Sequence, residues 1–292
     1  MEPVDVFGNV KQGELYSSAS TMIDDWYAVE AIDTQTFAIN EPKSSQYNTS
    51  YLIVGDARAI MFDAGSGERL PGSRSMREVA EQYTDKPITL ILSHFHYDHI
   101  YDAPTFDGIT FIDRPEIRTS IQNGVFTISP WESLDTERRS LKVASIRNQV
   151  FAGDFIYRHL GGIIAFAPGS DLVAYKANSA RLLQLTNPGT LFLGAHGIPR
   201  FGRDWLTLLN SALEKIVRGE AEYRYVAHYL APGIPWRVHQ NGEMSIYTTP
   251  LVDPQLFWSR WMLLLLVTVF ILSLYVLHRI ARLPFAPVQR DE

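Results

Sequence analysis

Residues 88–99, reading Ile-Thr-Leu-Ile-Leu-Ser-His-Phe-His-Tyr-Asp-His, constrain this chain more than any other stretch. Ile88 to Leu92 is an apolar run rich in β-branched residues and reads as a buried strand. It runs directly into Ser93-His94-Phe95-His96-Tyr97-Asp98-His99, where three imidazoles and a carboxylate fall within a few residues. A buried strand followed by such a loop puts the loop at a sheet edge, where sites in α/β proteins lie. His-x-His sends two rings to the same side if the chain stays extended. Imidazole nitrogen and carboxylate oxygen are the ligands that borderline cations such as Zn²⁺ prefer. The chain has 8 His in all, and three of them fall here, so a chance polar loop is a poor account.

The runs on either side repeat the theme of a strand ending in a polar turn. Asn48 to Val54 and Arg58 to Asp63 are strand-like and are joined by Gly55-Asp56-Ala57 as a hairpin turn. The second of them ends in Asp63-Ala64-Gly65-Ser66-Gly67. Gln149 to Asp154 is a strand ending in Gly-Asp, and Thr190 to Gly194 is a short strand that precedes His196-Gly197. Trp26 to Ile39 holds a first strand, Gly108 to Asp113 another, and Ala221 to Tyr229 and Met244 to Thr248 read as closing strands. Helices are expected over Arg74–Tyr83, Arg114–Ile121, Asp171–Leu185 and Asp204–Val217. Ser170 is the expected N-cap of the third, and Arg218-Gly219 ends the fourth. Ser179 interrupts the apolar face of the third. His159, His228 and His239 fit no motif.

His94-x-His96-x-Asp98-His99 after a hydrophobic strand resembles the metal-binding motif of the metallo-beta-lactamase fold superfamily. Asp63 before glycines, Asp154 after Gly153 and the Gly-x-His-Gly of residues 194–197 extend the resemblance over roughly Thr36 to Gly219. The resemblance implies an α/β fold, a four-layer αββα sandwich with its site at one edge of the two sheets. It implies a metal-dependent hydrolase holding one or two Zn²⁺ ions. His94 and His96 would belong to the first metal, Asp98, His99 and His196 to the second, and Asp154 would bridge them. Asp63 would orient ligands without binding metal, and Asp98 would also orient the nucleophilic water, which makes it the catalytic carboxylate. The substrate would be a small molecule with an ester, thioester, lactone, lactam or phosphate-type bond. No protein nucleophile is needed, which agrees with a chain that has no Cys and no Gly-x-Ser-x-Gly elbow.

Two departures stand out. No His occurs between Ile100 and Gly153, where the superfamily usually supplies a third imidazole for the first metal, and Tyr101 stands where a Gly is common. The second metal position therefore has a full set, and the first has His94, His96 and a share of Asp154, to be completed by a water or by His159. The alternative is a degenerate binding or scaffold module with at most one metal and no turnover. A single-iron oxidoreductase of the same fold would need the missing His as well.

The C-terminal region is of a different kind. Leu256 to Leu277 is almost purely apolar and Met262 to Leu277 carries no charge, the length a membrane-spanning helix needs. Trp258, Trp261 and Tyr275 sit near its ends as in an aromatic belt. The expected organisation is an arm over 1–25, the main domain over 26–250, a linker over 251–255, a transmembrane helix over 256–278 and a tail over 279–292, in a single-pass membrane protein. Arg279, Arg282 and Arg290 favour a cytoplasmic tail, whereas residues 1–20 lack an apolar signal-type core, which favours a cytosolic domain. The two signals point to opposite sides. Net charge is -6 with no long basic run, so nucleic acid is not an expected partner.

Overall fold

The computed structural model describes residues 20–94, 96–111, 144–146, 148–159, 162–165, 170–226, 236–249 and 260–281. The helix expected over Arg114–Ile121, the linker and His228 lie outside these residues.

Seven strands form the first sheet in chain order: β1 Thr21–Ile23, β2 Tyr27–Ala31, β3 Thr36–Asn40, β4 Thr49–Val54, β5 Ala59–Phe62, β6 Ile88–Leu92 and β7 Ile109–Phe111. Pairing is antiparallel from β1 to β5 and parallel from β5 to β7. Parallel neighbours need a crossover. The one between β5 and β6 carries α1, Met76–Ala80; the one between β6 and β7 carries α2, Tyr97–Ile100, and a 3₁₀ turn, Ala103–Thr105. Because Phe62 pairs with Ile91 in parallel, the residues after β5 and β6 leave the sheet at the same edge. That puts Asp63 beside the His cluster.

The second half has a three-stranded sheet in the order β11 (Leu191–Gly194), β9 (Gln149–Gly153), β8 (Ala144–Ile146). A four-stranded sheet follows in the order β10 (Ile163–Ile164), β14 (Met244–Thr248), β13 (Trp236–Asn241), β12 (Arg224–Val226). β9 and β11 run parallel with Gly153 opposite Gly194, so Asp154 and His196 also emerge together.

Three cores separate the layers. Tyr51, Ile53, Ile60, Phe62 and Ile91 on one face of the first sheet meet Phe151 and Leu193 of the second. The other face of the first sheet, including Leu52 and Met61, packs on Met76, Val79 and Ala80 of α1. Helices α3, Leu172–Leu185, and α4, Arg203–Val217, cover the outer face of the second half through Leu182, Leu206, Leu209 and Leu213 against Val150, Phe192 and Ile246. The order is helix, sheet, sheet, helix. Successive residues of β4 face opposite cores, and a strand buried on both faces reads as a continuous apolar run.

Several elements differ from the sequence expectation. The sheet begins at Thr21, inside the stretch read as an arm. Trp26 to Ile39 holds two strands: Asp33 accepts the Gln35 N–H and makes a turn with no Gly or Pro. α1 is five residues long, because the capping box of Ser75 and Glu78 starts it and Glu81 ends it. The N-cap of α3 is Asp171, not Ser170: the Asp171 carboxylate accepts the N–H groups of Val173 and Ala174, an interaction of about 1 kcal/mol. Ser179 is fully buried within hydrogen-bond reach of Asn210 on α4, joining the two helices. β13 was not expected, although Asn241-Gly242 between β13 and β14 is a hairpin signal.

The last element is α5, Arg260–Ala281, 22 residues long. Its described side chains, residues 265–276, are exposed throughout. Counted over the described residues, no helix is long and apolar enough to cross a membrane.

Candidate metal centre

Asp63 organises the ligand loop. Its backbone is left-handed, φ 64°, a conformation costing a non-glycine residue roughly 1 kcal/mol or more. The carboxylate accepts three donors in return. Ser93 N–H reaches Oδ1 at 2.8 Å and Ser93 Oγ–H reaches Oδ2 at 2.8 Å. His99 Nδ1 lies 3.0 Å from Oδ2. Since Ser93 Oγ donates to Asp63, it can accept from His94 Nδ1, 2.9 Å away. His196 Nδ1 lies 3.1 Å from the main-chain oxygen of Gln46, which can only accept. All three imidazoles are therefore protonated at Nδ1 and present Nε2 inward.

The three Nε2 atoms converge on Asp154. They lie 3.4 Å (His94), 3.1 Å (His99) and 2.8 Å (His196) from its carboxylate oxygens. Asp98 Oδ2 lies 3.4 Å from His99 Nε2 and 3.8 Å from His196 Nε2. Two groups close enough to share an ion result: His94, His99 and Asp154; and Asp98, His99 and His196. His96 is in neither. Its ring sits edge-on to that of His94, 4.4 Å between centroids, and its Nδ1 is 4.0 Å from Asp154.

The electrostatics suit a cation. Burial raises the carboxyls of Asp98 and Asp154, but the facing imidazoles outweigh it and hold both well below the ordinary carboxylate range. Burial lowers His99 and His196, but Asp154 reverses this and holds both above the ordinary imidazole value. The carboxylates thus attract positive charge to the point where the Nε2 atoms meet. The buried Nε2 atoms of His94 and His99 have no hydrogen-bond partner of good geometry. Buried polar atoms without partners are costly, and a divalent ion would satisfy both. Three imidazoles and two carboxylates are also a donor set that zinc accepts. The residues present fit a metal.

Tyr101 is accommodated. Its ring lies over Gly67, where a Cβ would come within 2.2 Å of ring carbons. Its N–H donates to Gly65 O, as that of Asp102 does to Ala64 O, so α2 stays clamped to the loop after Asp63. His159 lies against Tyr47, 5.2 Å between centroids, and in neither ligand group. His239 lies on β13, where Nε2 contacts Thr248 Oγ1. Gly197 is required where it stands, with φ 76° and the Arg158 carbonyl 2.5 Å from where a Cβ would be.

Sequence reasoning missed Ser93, Gln46 and Asn48. Asn48 Nδ2 donates to Asp98 O at 3.0 Å and approaches Asp98 Oδ2 at 3.2 Å. Neither amide carries a motif. The one signal for Ser93 is its place between a strand and the first His, where a short hydroxyl can bridge neighbours.

Comparison with known proteins agrees with the motif. Residues 46–118 match the family model described as the metallo-beta-lactamase superfamily. The matched segment holds Asp63 and the loop from His94 to His99; Asp154 and His196 lie beyond it. Among solved structures, the metallo-beta-lactamase FIM-1 from Pseudomonas aeruginosa in a mono-zinc form is similar at 16% identity and a TM-score of 0.49, over 67% of this chain and 98% of that one. A metallo-beta-lactamase from Pontibacter korlensis is similar at 13% identity and a TM-score of 0.47, over 64% of this chain and 99% of that one. No curated protein matches the sequence.

Proposed function

We propose that this protein is a membrane-anchored, zinc-dependent hydrolase. The observation that carries the metal chemistry is the convergence of the three Nε2 atoms on Asp154, each with Nδ1 engaged elsewhere. Asp98, His99, His196 and Asp154 would hold the principal ion, and His94 with Asp154 a second one. When bound, a divalent ion would supply an activated water and a positive charge beside the oxygen that gains charge during hydrolysis. Asp98, ionised and with Oδ2 held by two amides, would orient the attacking water. His96, whose Nδ1 lies 4.0 Å from the same Asp154 oxygen that His94 faces, would join His94 at that second position. The bond cleaved would be an ester, thioester, lactone, lactam or phosphate-type bond of a small molecule.

The sequence carries the anchor reading: the run Leu256 to Leu277 is almost purely apolar, about the 20 residues a spanning helix needs, although among the described residues no helix meets that length and apolarity together. The described apolar side chains of α5, from Leu265 to Val276, are about half-exposed or more. A bilayer is the solvent that makes such a surface favourable.

The test is metal analysis of the full chain in detergent, together with turnover of chromogenic esters, lactams and phosphodiesters. Stoichiometric zinc with turnover is expected. Metal without turnover would favour a binding or scaffold role, a reading the unfinished His94 side favours. For the anchor, sedimentation with membranes after alkaline washing is expected, as is release on deletion of 256–292. A chain that stays in solution without detergent would refute it.

A further inference from the structure

The segment 45–49 crosses from the first sheet to the end of β11. Thr49 N–H donates to Ala195 O at 2.7 Å and Gly197 N–H to Tyr47 O at 2.9 Å. This pairing brings Gln46 between two ligands from opposite halves of the fold. Its main-chain oxygen accepts from His196 Nδ1 at 3.1 Å. Its side-chain Nε2 donates to Asp98 Oδ2 at 3.2 Å and to Tyr97 Oη at 2.9 Å. A carboxylate can only accept, so the amide nitrogen must face Asp98.

We propose that Gln46 is the positioning residue of the principal metal position, its amide aiming Asp98 while its carbonyl sets the tautomer of His196. The inference rests on the metal-centre reading above. Partners of metal ligands commonly change affinity by about 10- to 100-fold when removed. Asn48 also donates to Asp98, so the effect of losing Gln46 alone lies at the low end of that range. The side chain of Gln46 reaches Asp98, and its backbone reaches His196. Substitutions therefore test the first contact and leave the second in place.

The experiment uses cobalt(II) as the probe, on the full chain in detergent, with Gln46→Ala and Gln46→Met. Methionine fills the space of the glutamine without a donor. Expected are a roughly ten-fold weaker cobalt affinity in both variants and a changed cobalt visible spectrum, with the melting curve of the metal-free protein unmoved. Wild-type affinity and spectrum in the Met variant would mean that bulk, not the amide, matters, and would overturn the proposal. So would wild-type behaviour in both variants, or a loss confined to metal-free stability. A wild type that binds no cobalt would overturn the metal-centre reading and this inference with it.

Discussion

His99 and His96 lie three residues apart in one motif, yet His99 is 1% exposed and the side chain of His96 is 54% exposed. His99 is on α2, whose last turn is bonded to the loop after Asp63 through Ala64 N–H to His99 O. Its Nδ1 is held by Asp63, and its Nε2 faces two carboxylates. His96 stands at the N-cap position of α2 with no side-chain capping bond, and touches the cluster edge-on through His94. The same division holds for the carboxylates' other partners: His196 is buried and held by Gln46, whereas His94 is held through Ser93 alone. Affinity follows the number of ligands and how well the surrounding contacts orient them, so spacing in a motif does not rank its members.

Substitutions can break this comparison. The largest effect is expected from His99→Ala or His196→Ala, which should leave no tightly held ion after dialysis against a mild chelator, read by metal counting. Asp63→Ala comes next. It strips the acceptor from Ser93 N–H, Ser93 Oγ–H and His99 Nδ1–H, and orphaned buried donors cost about 1–3 kcal/mol each. A loss of about 3 kcal/mol or more in chemical denaturation is expected, with about 10- to 100-fold weaker metal binding.

A pH series sharpens the buried side. Glu41 accepts from Trp26 Nε1, Ser66 N–H and Ser66 Oγ–H, and so supports the loop that follows Asp63. Burial pushes its carboxyl up from 4.5 to about 7, against those hydrogen bonds. A raised folded value favours the neutral acid. Its contribution to stability is full below about 4.5 and is lost as pH rises through about 7, by at most about 3 kcal/mol. Relative to Glu41→Gln, the wild type should lose stability across that window; parallel denaturation curves for the two from pH 4 to 8 would refute the assignment.

Smaller effects are expected on the exposed side. His94→Ala should remove a weakly held second ion and leave the first, by the same dialysis and counting. His96→Ala should leave the tight ion untouched and loosen only the second one, by less than His94→Ala, because its side chain is the more exposed. A wild type retaining two equally tight ions would mean that the first position has a third ligand.

The legible and illegible parts of the molecule divide along sequence distance. β4, β5, β6, β9, β11 and β14 are legible from local apolar runs, and the candidate ligands are visible because they sit at strand ends. The hairpin after β2 was hidden because its turn uses Asp33 instead of Gly or Pro. β13, Trp-Arg-Val-His-Gln-Asn, has no continuous apolar run, and only Asn241-Gly242 marks it. Gln46 and Asn48 could not be singled out, because an amide in a loop has no periodicity and no spacing to betray what it holds.

By itself the sequence determined the chemistry of the centre: which imidazoles and carboxylates are available, that no thiolate is among them, and that they sit where strands end. Hydrophobic periodicity and ligand type are properties of neighbouring residues. Only the tertiary structure decided that His99 and not His96 lies at the heart of the cluster, and that Gln46 stands between Asp98 and His196. Those facts depend on contacts such as His196 to Gln46, 150 residues apart. They also depend on the parallel pairing of β5 with β6 and of β9 with β11. Such pairings come from packing two sheets face to face, which no local pattern records.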